Sequence, residues 1–389
     1  MNLTVSKQVK ILGFSFLFIF LGFNGVQQYI TTFFSEAEMI EVGFRSLILI
    51  YLFFILFDPL SAVLVSKYGA KRCMILASIF YSIFILSLLS KSIILIYLAS
   101  SLLGIAASFL WTGQNSYLIR ASDEKSYGAN AGFFSSLQSL GSALGVLILG
   151  FLIVKFLFKI PFLIFSIFPI IGLLVISKIT DLKVEEKINR FNLIKKSIFS
   201  KTALRLSIFW FAPQFTYGLT IGIIPIEIKN ILGISFIGIL SSLFYILPIL
   251  FSYFWGKLSD IAGRKKMIIL SYGFVIIGLI SLYFSNISIF LISGIILLAL
   301  NISLMRPISY ALVGDVSTKN NLEFLTALFW MVQGVGVVSA LFLSQVLQTQ
   351  VKTLYLISIL VMVISLMILL PLLRLGIEKI KEKISQEVG

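Results

Sequence analysis

Long apolar segments follow one another along nearly the whole of this 389-residue chain. Each is about 18 or more residues long, enough for a helix that rises 1.5 Å per residue to cross a bilayer core of roughly 30 Å. Hydrophobic residues make up 59% of the chain and charged residues only 12%, whereas soluble domains carry about 25% charged residues. The sequence therefore predicts an all-α polytopic membrane protein.

Twelve such segments can be placed, and one long charged interruption, DLKVEEKINRFNLIKKSIFSK, separates the sixth from the seventh. We predict a six-helix half at 1–180, a central cytoplasmic loop at 181–201, a second six-helix half at 202–375 and a cytoplasmic tail at 376–389. The predicted spans are 9–33, 44–66, 72–90, 92–118, 129–154, 160–178, 204–226, 235–257, 265–284, 286–312, 323–348 and 353–373.

The distribution of basic residues predicts the orientation. With both termini in the cytoplasm, 24 of the 31 basic residues lie on the cytoplasmic side, 6 lie outside and Arg306 lies within a span. Positive charge accumulates on the cytoplasmic side of membrane proteins, so we predict cytoplasmic termini. The net charge of +15 then reflects topology and not a nucleic-acid partner. We expect a monomeric, multi-pass protein of the plasma membrane.

Residues for common catalytic and metal chemistry are scarce. Cys73 is the only cysteine and histidine is absent, which excludes a disulfide framework, a thiolate metal site and an imidazole base. The sequence has no glycine-rich loop ending in Lys-Ser or Lys-Thr that would hold a nucleotide phosphate. We predict that the protein is not an enzyme, binds no metal or cofactor, and carries out any proton coupling through carboxylates.

The two halves repeat each other. GAKRCMILAS, from Gly69, matches GRKKMIILSY, from Gly263, at an offset of 194 residues, and NSYLIR, from Asn115, matches ISYALV, from Ile308, at 193. Two matches at nearly one offset predict parallel six-span repeats. Repeats of this kind place a substrate cavity at their interface near the middle of the membrane.

The segment GKLSDIAGRKK, Gly256 to Lys266, resembles the loop motif of the major facilitator superfamily of transporters. We predict that Gly256, Asp260, Gly263, Arg264 and Lys265 latch one conformation, because the glycine permits a tight turn and the charges can pair. The alternative is a charged turn without a switching role. The first-half copy keeps Gly69, Lys71 and Arg72 but has Ser66 where the motif has an acid.

That resemblance implies twelve transmembrane helices in two pseudo-symmetric halves, with spans 1, 4, 7 and 10 around a cavity and spans 5 and 11 close by. LGFNGVQQYITTFF in span 1 and GIAASFLWTGQNSYLIR in span 4 resemble a narrower branch, named for an uncoordinated-movement phenotype. Some of its members regulate or escort other proteins, so a non-transporting role is one alternative. A proton-coupled drug exporter is another, although Ser100 replaces the arginine that many proton-coupled members have in span 4.

Asp58 lies deep in span 2 beside Pro59, which removes a backbone N–H and can loosen the helix. A charge at this depth is costly, which makes Asp58 a functional candidate. We predict that it titrates or binds a cation during transport. The alternative is a structural carboxylate capped by hydroxyl groups such as that of Ser61.

Arg306 and a set of neutral polar residues are the predicted cavity wall. A guanidinium aimed into a cavity suits a carboxylate or phosphate and so predicts an organic anion, unless the arginine pairs with an acid on another helix or extends to the interface. For any one neutral residue the alternative is a hydrogen bond between helices. The predicted neutral residues are Asn24, Gln27, Gln28, Trp111, Gln114, Asn115, Gln138, Gln214, Tyr217, Asn301 and Gln333.

Together these features predict a secondary active transporter that moves a small solute across a lipid bilayer by alternating access. An organic anion is the candidate solute, and an ion bound at Asp58 is the candidate for coupling.

Overall fold

The computed structural model describes residues 5–90, 92–123, 127–182, 195–197, 199–318 and 321–388. Within them, twelve helices are long and apolar enough to cross a membrane, and no strand is present. Residues 183–194 and 198 of the predicted central loop lie outside the described residues. Spans 1 to 12 are Lys7–Glu36, Ile40–Tyr68, Ala70–Ser90, Ile93–Arg120, Tyr127–Phe156, Lys159–Ile176, Lys201–Leu232, Ser235–Ala262, Arg264–Tyr283, Ser288–Val316, Leu322–Val346 and Val351–Leu373.

Two spans are interrupted near a proline. Span 6 consists of Lys159–Phe165 and Phe168–Ile176, and span 7 consists of Lys201–Ile221 and Ile224–Leu232. In both cases the second segment has proline in its first turn, where the missing N–H costs no helical hydrogen bond. This restart carries span 7 to Leu232, beyond the predicted end at residue 226.

A further helix, Ile377–Val388, follows span 12, where the sequence predicts only a tail. It packs on spans 7 and 10, with Ile380, Ile384 and Val388 buried. These residues are four apart and lie on one face of the helix. The same spacing is readable in the sequence, but the charged residues between them make the segment resemble a solvated tail.

The packing of helices repeats from one half to the other. Spans 1 and 5, 2 and 4, and 3 and 4 pack together in the first half, and spans 7 and 11, 8 and 10, and 9 and 10 do so in the second. Between the halves, span 5 packs along span 8 and span 11 packs along span 2. The fold is therefore an all-α bundle of two pseudo-symmetric six-helix halves, as predicted.

The glycines of the sequence repeat make the same turn in each half. Gly69 joins spans 2 and 3 with φ 88° and ψ 146°, and Gly263 joins spans 8 and 9 with φ 88° and ψ 143°. A side chain is strained at this positive φ, whereas glycine adopts it freely. Each glycine is the single residue between two helices, so the repeated sequence produces a repeated helix reversal.

Spans 1 and 7 are the most enclosed. In the most apolar window of each helix, 78% of residues in span 1 and 72% in span 7 are buried, against 33% in span 12. Spans 1 and 7 therefore lie at the centre of the bundle. Because twelve spans bring both ends of the chain to one side, we call that side the terminal side and the opposite one the far side.

Candidate functional site: a central cavity between the two halves

A cavity lies between the halves, with walls from spans 1 to 5, 7, 10 and 11. Its volume is about 100 Å³. Eight of the twelve predicted cavity residues line it. They are Asn24, Gln27, Trp111, Gln138, Gln214, Tyr217, Arg306 and Gln333.

The other four predicted residues do not line the cavity. Gln28, Asn115 and Asn301 are turned to neighbouring helices; the amide nitrogen of Asn301 donates to the hydroxyl of Ser271 in span 9, over 2.7 Å. Gln114 is completely buried, and neither its side-chain oxygen nor its nitrogen has a hydrogen-bond partner among the described residues. A polar side chain in hydrocarbon can bond to a neighbouring helix instead of lining the cavity, so polarity alone does not identify the cavity face.

Gln27 links the two halves within the cavity. Its amide nitrogen donates to the hydroxyl of Tyr51 in span 2 over 3.1 Å, and its carbonyl oxygen accepts from the hydroxyl of Tyr217 in span 7 over 3.1 Å. Both the nitrogen and the oxygen of the Gln27 amide are therefore hydrogen-bonded. A solute that entered this part of the cavity would have to replace these bonds, because an unpaired buried amide is costly.

Arg306 is the one formally charged residue among those that line the cavity. Its guanidinium donates to the hydroxyl of Ser139 in span 5 over 3.0 Å. Within the part of the chain that the structure describes, no carboxylate lies within ion-pair distance of it. The alternative of an internal acid partner therefore does not describe Arg306, which retains donors for a negatively charged group.

Aromatic side chains form most of the remaining wall. Apart from Trp111 and Tyr217, the predicted set of site residues does not include them, although Trp330 and Tyr310 share helix faces with the predicted Gln333 and Arg306; an aromatic residue in an apolar helix resembles ordinary core. Trp210 stacks on Phe329 with ring centroids 4.0 Å apart, and Tyr310 meets Trp330 edge to face at 5.7 Å. The missed aromatic wall residues are Phe20, Phe23, Tyr51, Phe54, Tyr81, Phe209, Trp210, Tyr310 and Trp330.

Contacts between the halves close the cavity on the far side. The amide nitrogen of Gln28 donates to the backbone oxygen of Thr220, which joins spans 1 and 7 over 2.9 Å. Nearer the ends of the same spans, the ammonium group of Lys229 lies 2.6 Å from a carboxylate oxygen of Glu36. Gln28 is thus part of the far-side closure and not of the cavity wall.

A second closure lies on the terminal side. Asn115 of span 4 donates to the hydroxyl of Thr326 in span 11 over 3.1 Å. Arg120, at the end of span 4, lies 2.7 Å from the carboxylate of Glu323, at the start of span 11. Neither Glu323 nor Thr326 is predicted from the sequence. Asn115 and Arg120, near the end of span 4, therefore connect the two halves on the terminal side of the cavity.

The second-half loop motif forms an ion cluster on the terminal side. The guanidinium of Arg264 lies 2.6 Å from Asp260 and 2.7 Å from Asp315 at the end of span 10, and it also donates to Ser259. A Cβ atom at Gly128, at the start of span 5, would collide with the Asp260 carboxylate. Asp315 is not predicted from the sequence, because an acid at the end of an apolar helix resembles a solvated end.

The neighbouring motif residues contribute backbone proximity and exposed charge. A Cβ atom at Gly256 would lie 2.7 Å from the backbone oxygen of Gly128, so the glycine allows spans 8 and 5 to approach closely. Lys265 is exposed, and Lys71 in the first-half copy is partly exposed.

The first-half copy of the motif is looser. Arg72 lies 3.9 Å from Asp181, and its side chain is 73% exposed. The hydroxyl of Ser66, which replaces the motif's acid, donates to the backbone oxygen of Val63 over 2.9 Å. A long, exposed ion pair stabilises little, so the two copies differ in strength as the missing acid predicts.

Asp58 lies outside the cavity wall. Its side chain is completely buried, and neither carboxylate oxygen accepts a hydrogen bond within the described residues. The hydroxyl of Ser61 lies 2.7 Å from the backbone oxygen of Asp58 and 2.9 Å from the hydroxyl of Thr112 in span 4. The hydroxyls of Thr112 and Ser61 nevertheless lie beside the Asp58 carboxyl group and interact with it, so a structural carboxylate beside these hydroxyls stays the alternative to a coupling role.

Sequence comparison finds one family and several partial relatives. A family model described as the Major Facilitator Superfamily matches residues 9–221 and 206–388. UNC93-like protein MFSD11 of Xenopus tropicalis is 30% identical over 140 residues, which cover 35% of this chain and 32% of that protein. UNC93-like protein 3 of Arabidopsis thaliana is 32% identical over 113 residues, which cover 29% of this chain and 23% of that protein. The chain matches about a third or less of each relative's length.

Solved structures share the fold over nearly the whole chain. The human organic anion transporter MFSD10 has a TM-score of 0.75 at 12% identity and covers 93% of this chain and 98% of its own. The proton:xylose symporter XylE has a TM-score of 0.73 at 14% identity and covers 93% of this chain and 94% of its own. At these identities the likeness shows the fold alone.

Proposed function

The chain belongs to the Major Facilitator Superfamily, and on that premise we propose that it is a secondary transporter that moves a small organic anion across a membrane by alternating access. The observation that carries the proposal is Arg306, a cation in the cavity between the halves, without a carboxylate partner in the described part of the chain. Within this superfamily, the motifs in spans 1 and 4 and the UNC93-like relatives support a place in the UNC93-like branch, which is named for an uncoordinated-movement phenotype.

The proposed solute class follows from the wall. Arg306 would hold a carboxylate or phosphate, since its planar fork matches either group. The amides of Gln27, Gln138, Gln214 and Gln333 would bond to polar groups of the solute, and the aromatic wall would pack against its apolar part. An anion with an apolar or aromatic body therefore fits better than a sugar.

Alternating access would use the two closures in turn. Parting of spans 1 and 7 would break the Lys229–Glu36 pair and open the far side, while parting of spans 4 and 11 would break the Arg120–Glu323 pair and open the terminal side. In this scheme the cluster of Asp260, Arg264 and Asp315 is a latch that stabilises the closed terminal side. The basic residues would place that side in the cytoplasm of a plasma-membrane protein.

Uptake into proteoliposomes tests the proposal. Purified protein is offered radiolabelled aliphatic and aromatic carboxylates, phosphate esters and neutral sugars. We expect saturable uptake of at least one anion. Arg306→Gln should lower the apparent affinity for that anion roughly 10- to 100-fold, as loss of a charged hydrogen bond predicts, and Arg306→Lys should weaken it less. Arg205→Gln is the matched control, because Arg205 is exposed and contacts the backbone of Ile368.

The result that would overturn the anion proposal differs from the result that would overturn transport. Saturable uptake of neutral solutes only, or an anion affinity unchanged in Arg306→Gln, would overturn the anion proposal. Absence of saturable flux for the whole panel would favour the other function class, a membrane protein that regulates or escorts a partner.

A further inference from the structure

Asp58 is a buried carboxylate that the solute cavity does not use. It lies ten residues before the end of span 2 at Tyr68, about 15 Å along the helix at 1.5 Å per residue. Its side chain has no exposed surface, and both oxygens lack a hydrogen bond among the described residues. It therefore has the burial of a core residue. The neutral hydroxyls of Thr112 and Ser61 lie beside it, but no ion pair among the described residues supplies the cation that would balance a buried charge.

Helical spacing places Asp58 at the junction of three spans. Ser61 and Ala62 follow it by three and four residues, so both share its face of span 2. Ser61 faces Thr112 of span 4, and Ala62 clusters with Phe324 of span 11. Asp58 thus lies where the first half, represented by spans 2 and 4, meets span 11 of the second half.

Charged groups near this junction are already paired. Spans 1, 3, 4 and 11 pack against span 2. Arg120 of span 4 and Glu323 of span 11 bond to each other, and residues 11–28 of span 1 include no ionisable side chain. The remaining ionisable groups at similar depth have other contacts: Tyr51 with Gln27, Tyr81 with Phe23, and Tyr117 with Thr180. None of the ion pairs among the described residues includes Asp58.

Protonation neutralises Asp58 without any further ligand. An isolated carboxylate in a dry site is neutralised by protonation instead of remaining charged. A metal cation would need a shell of several oxygen ligands, whereas the nearby hydroxyl of Ser61 bonds to Thr112 and to a backbone oxygen. A proton needs only the carboxylate itself.

The cover over Asp58 is made by both halves. One turn nearer the terminal side, Ala62 and Val63 of span 2 pack against Phe324 and Ala327 of span 11 in a small buried cluster. Beside it lie the Asn115–Thr326 bond and the Arg120–Glu323 pair. If spans 2 and 4 part from span 11, all of these contacts are lost together, and water from the terminal side reaches the carboxylate.

We propose that Asp58 is a proton-binding site, and that the contact of spans 2 and 4 with span 11 controls its exchange with water on the terminal side. The proton is held while this contact is closed and exchanges when it opens. The second part rests on the proposed alternating-access motion. The site couples a proton to that motion although it does not contact the solute.

Infrared spectroscopy of the full-length protein in lipid nanodiscs tests the site directly. We expect a carbonyl-stretching band of a protonated carboxylic acid at about pH 7, well above the ordinary carboxyl range. Asp58→Asn should remove the band and Asp58→Glu should shift it. Asp315→Asn should leave it unchanged, because Asp315 pairs with Arg264. Absence of a band that depends on Asp58 would overturn the proton site, whether or not the protein transports an anion.

The same band tests the control of access. In D2O the proton is replaced by deuterium and the band moves, at a rate set by water access. Arg120→Gln/Glu323→Gln, which removes the terminal-side ion pair without leaving Glu323 as a second buried acid, should speed this exchange at least severalfold, whereas Lys229→Gln on the far side should not. Equal rates in wild type and Arg120→Gln/Glu323→Gln would overturn the gating by span 11 and leave the anion proposal to its own assay.

Discussion

The guanidinium of Arg120 and the carboxylate of Glu323 lie 2.7 Å apart across the interface of the two halves, with the Glu323 side chain only 3% exposed. Desolvation makes such a pair a modest net stabiliser, but it makes the loss of one partner costly because the other charge stays buried. In the proposed alternating-access motion, the pair would therefore act mainly on the balance between the closed and the open terminal side.

We predict that Arg120→Gln destabilises the protein more than the double variant Arg120→Gln/Glu323→Gln. The single change leaves Glu323 buried without its cation, at a cost of about 3–5 kcal/mol, while the double change removes both charges. Thermal unfolding of the single and double variants in detergent gives the interaction free energy between Arg120 and Glu323. A double variant that is as unstable as the sum of both single changes would contradict the buried-pair interpretation.

The contact of spans 1 and 5 depends on glycine. A Cβ atom at Gly141 would collide with the backbone oxygen of Leu17, whereas a Cβ atom at Gly273 in span 9 meets nothing within 4 Å. Gly141→Ala should therefore lower stability by about 1–3 kcal/mol through overpacking. Gly273→Ala should be neutral or stabilising, since alanine favours a helix by up to about 1 kcal/mol. Melting midpoints of the two variants should move in different directions or by clearly different amounts.

The fork of Arg264 holds two acids that belong to different helices. Its Nη1 atom bonds to Asp260 and its Nε atom to Asp315. Lysine keeps the charge but offers a single ammonium group without the planar fork, so Arg264→Lys should lose roughly 1–3 kcal/mol. We also expect faster labelling of a cysteine introduced at the terminal-side end of span 5, because the latch is weakened. Lys265→Arg, an exposed change beside it, should have no effect on either measurement.

Glu387 joins the terminal helix to the start of span 7. Its carboxylate accepts from the hydroxyls of Ser200 and Thr202 over 2.5 and 2.6 Å and from the backbone N–H of Thr202 over 3.1 Å. Burial raises the pKa of Glu387, but these hydrogen bonds outweigh it, and the net pKa is lowered.

A lowered pKa fixes the sign of the pH dependence. The stabilisation is complete above the ordinary glutamate pKa of about 4.3 and is lost as the pH falls through the lower folded value. Glu387→Gln should therefore weaken hydrogen-exchange protection of Ile377–Val388 at about pH 7, and the difference from wild type should shrink towards about pH 3. Glu382→Gln, on the exposed side of the same helix, is the control. Equal protection in wild type and Glu387→Gln at neutral pH would show that the hydrogen bonds of Glu387 do not stabilise this helix.

The sequence by itself determined the number of spans, the two halves and much of the cavity. These depend on local patterns. Apolar length sets a span, a glycine followed closely by basic residues sets the turn at Gly69 and Gly263, and a polar residue inside hydrocarbon is a candidate for a cavity wall or for a contact between helices. For this reason eight predicted residues line the cavity, and Arg306 stands out as the basic residue that lies deepest within a span.

Only the tertiary structure decided which partner each polar residue found. Asn301 and Arg306 are five residues apart on span 10, yet the first bonds to Ser271 and the second lines the cavity. Asn115 serves a joint between the halves because Thr326 of span 11 lies opposite it. The rotation of a helix about its own axis depends on the packing of all its neighbours at once. That is why single-helix patterns identified the polar residues but not their roles.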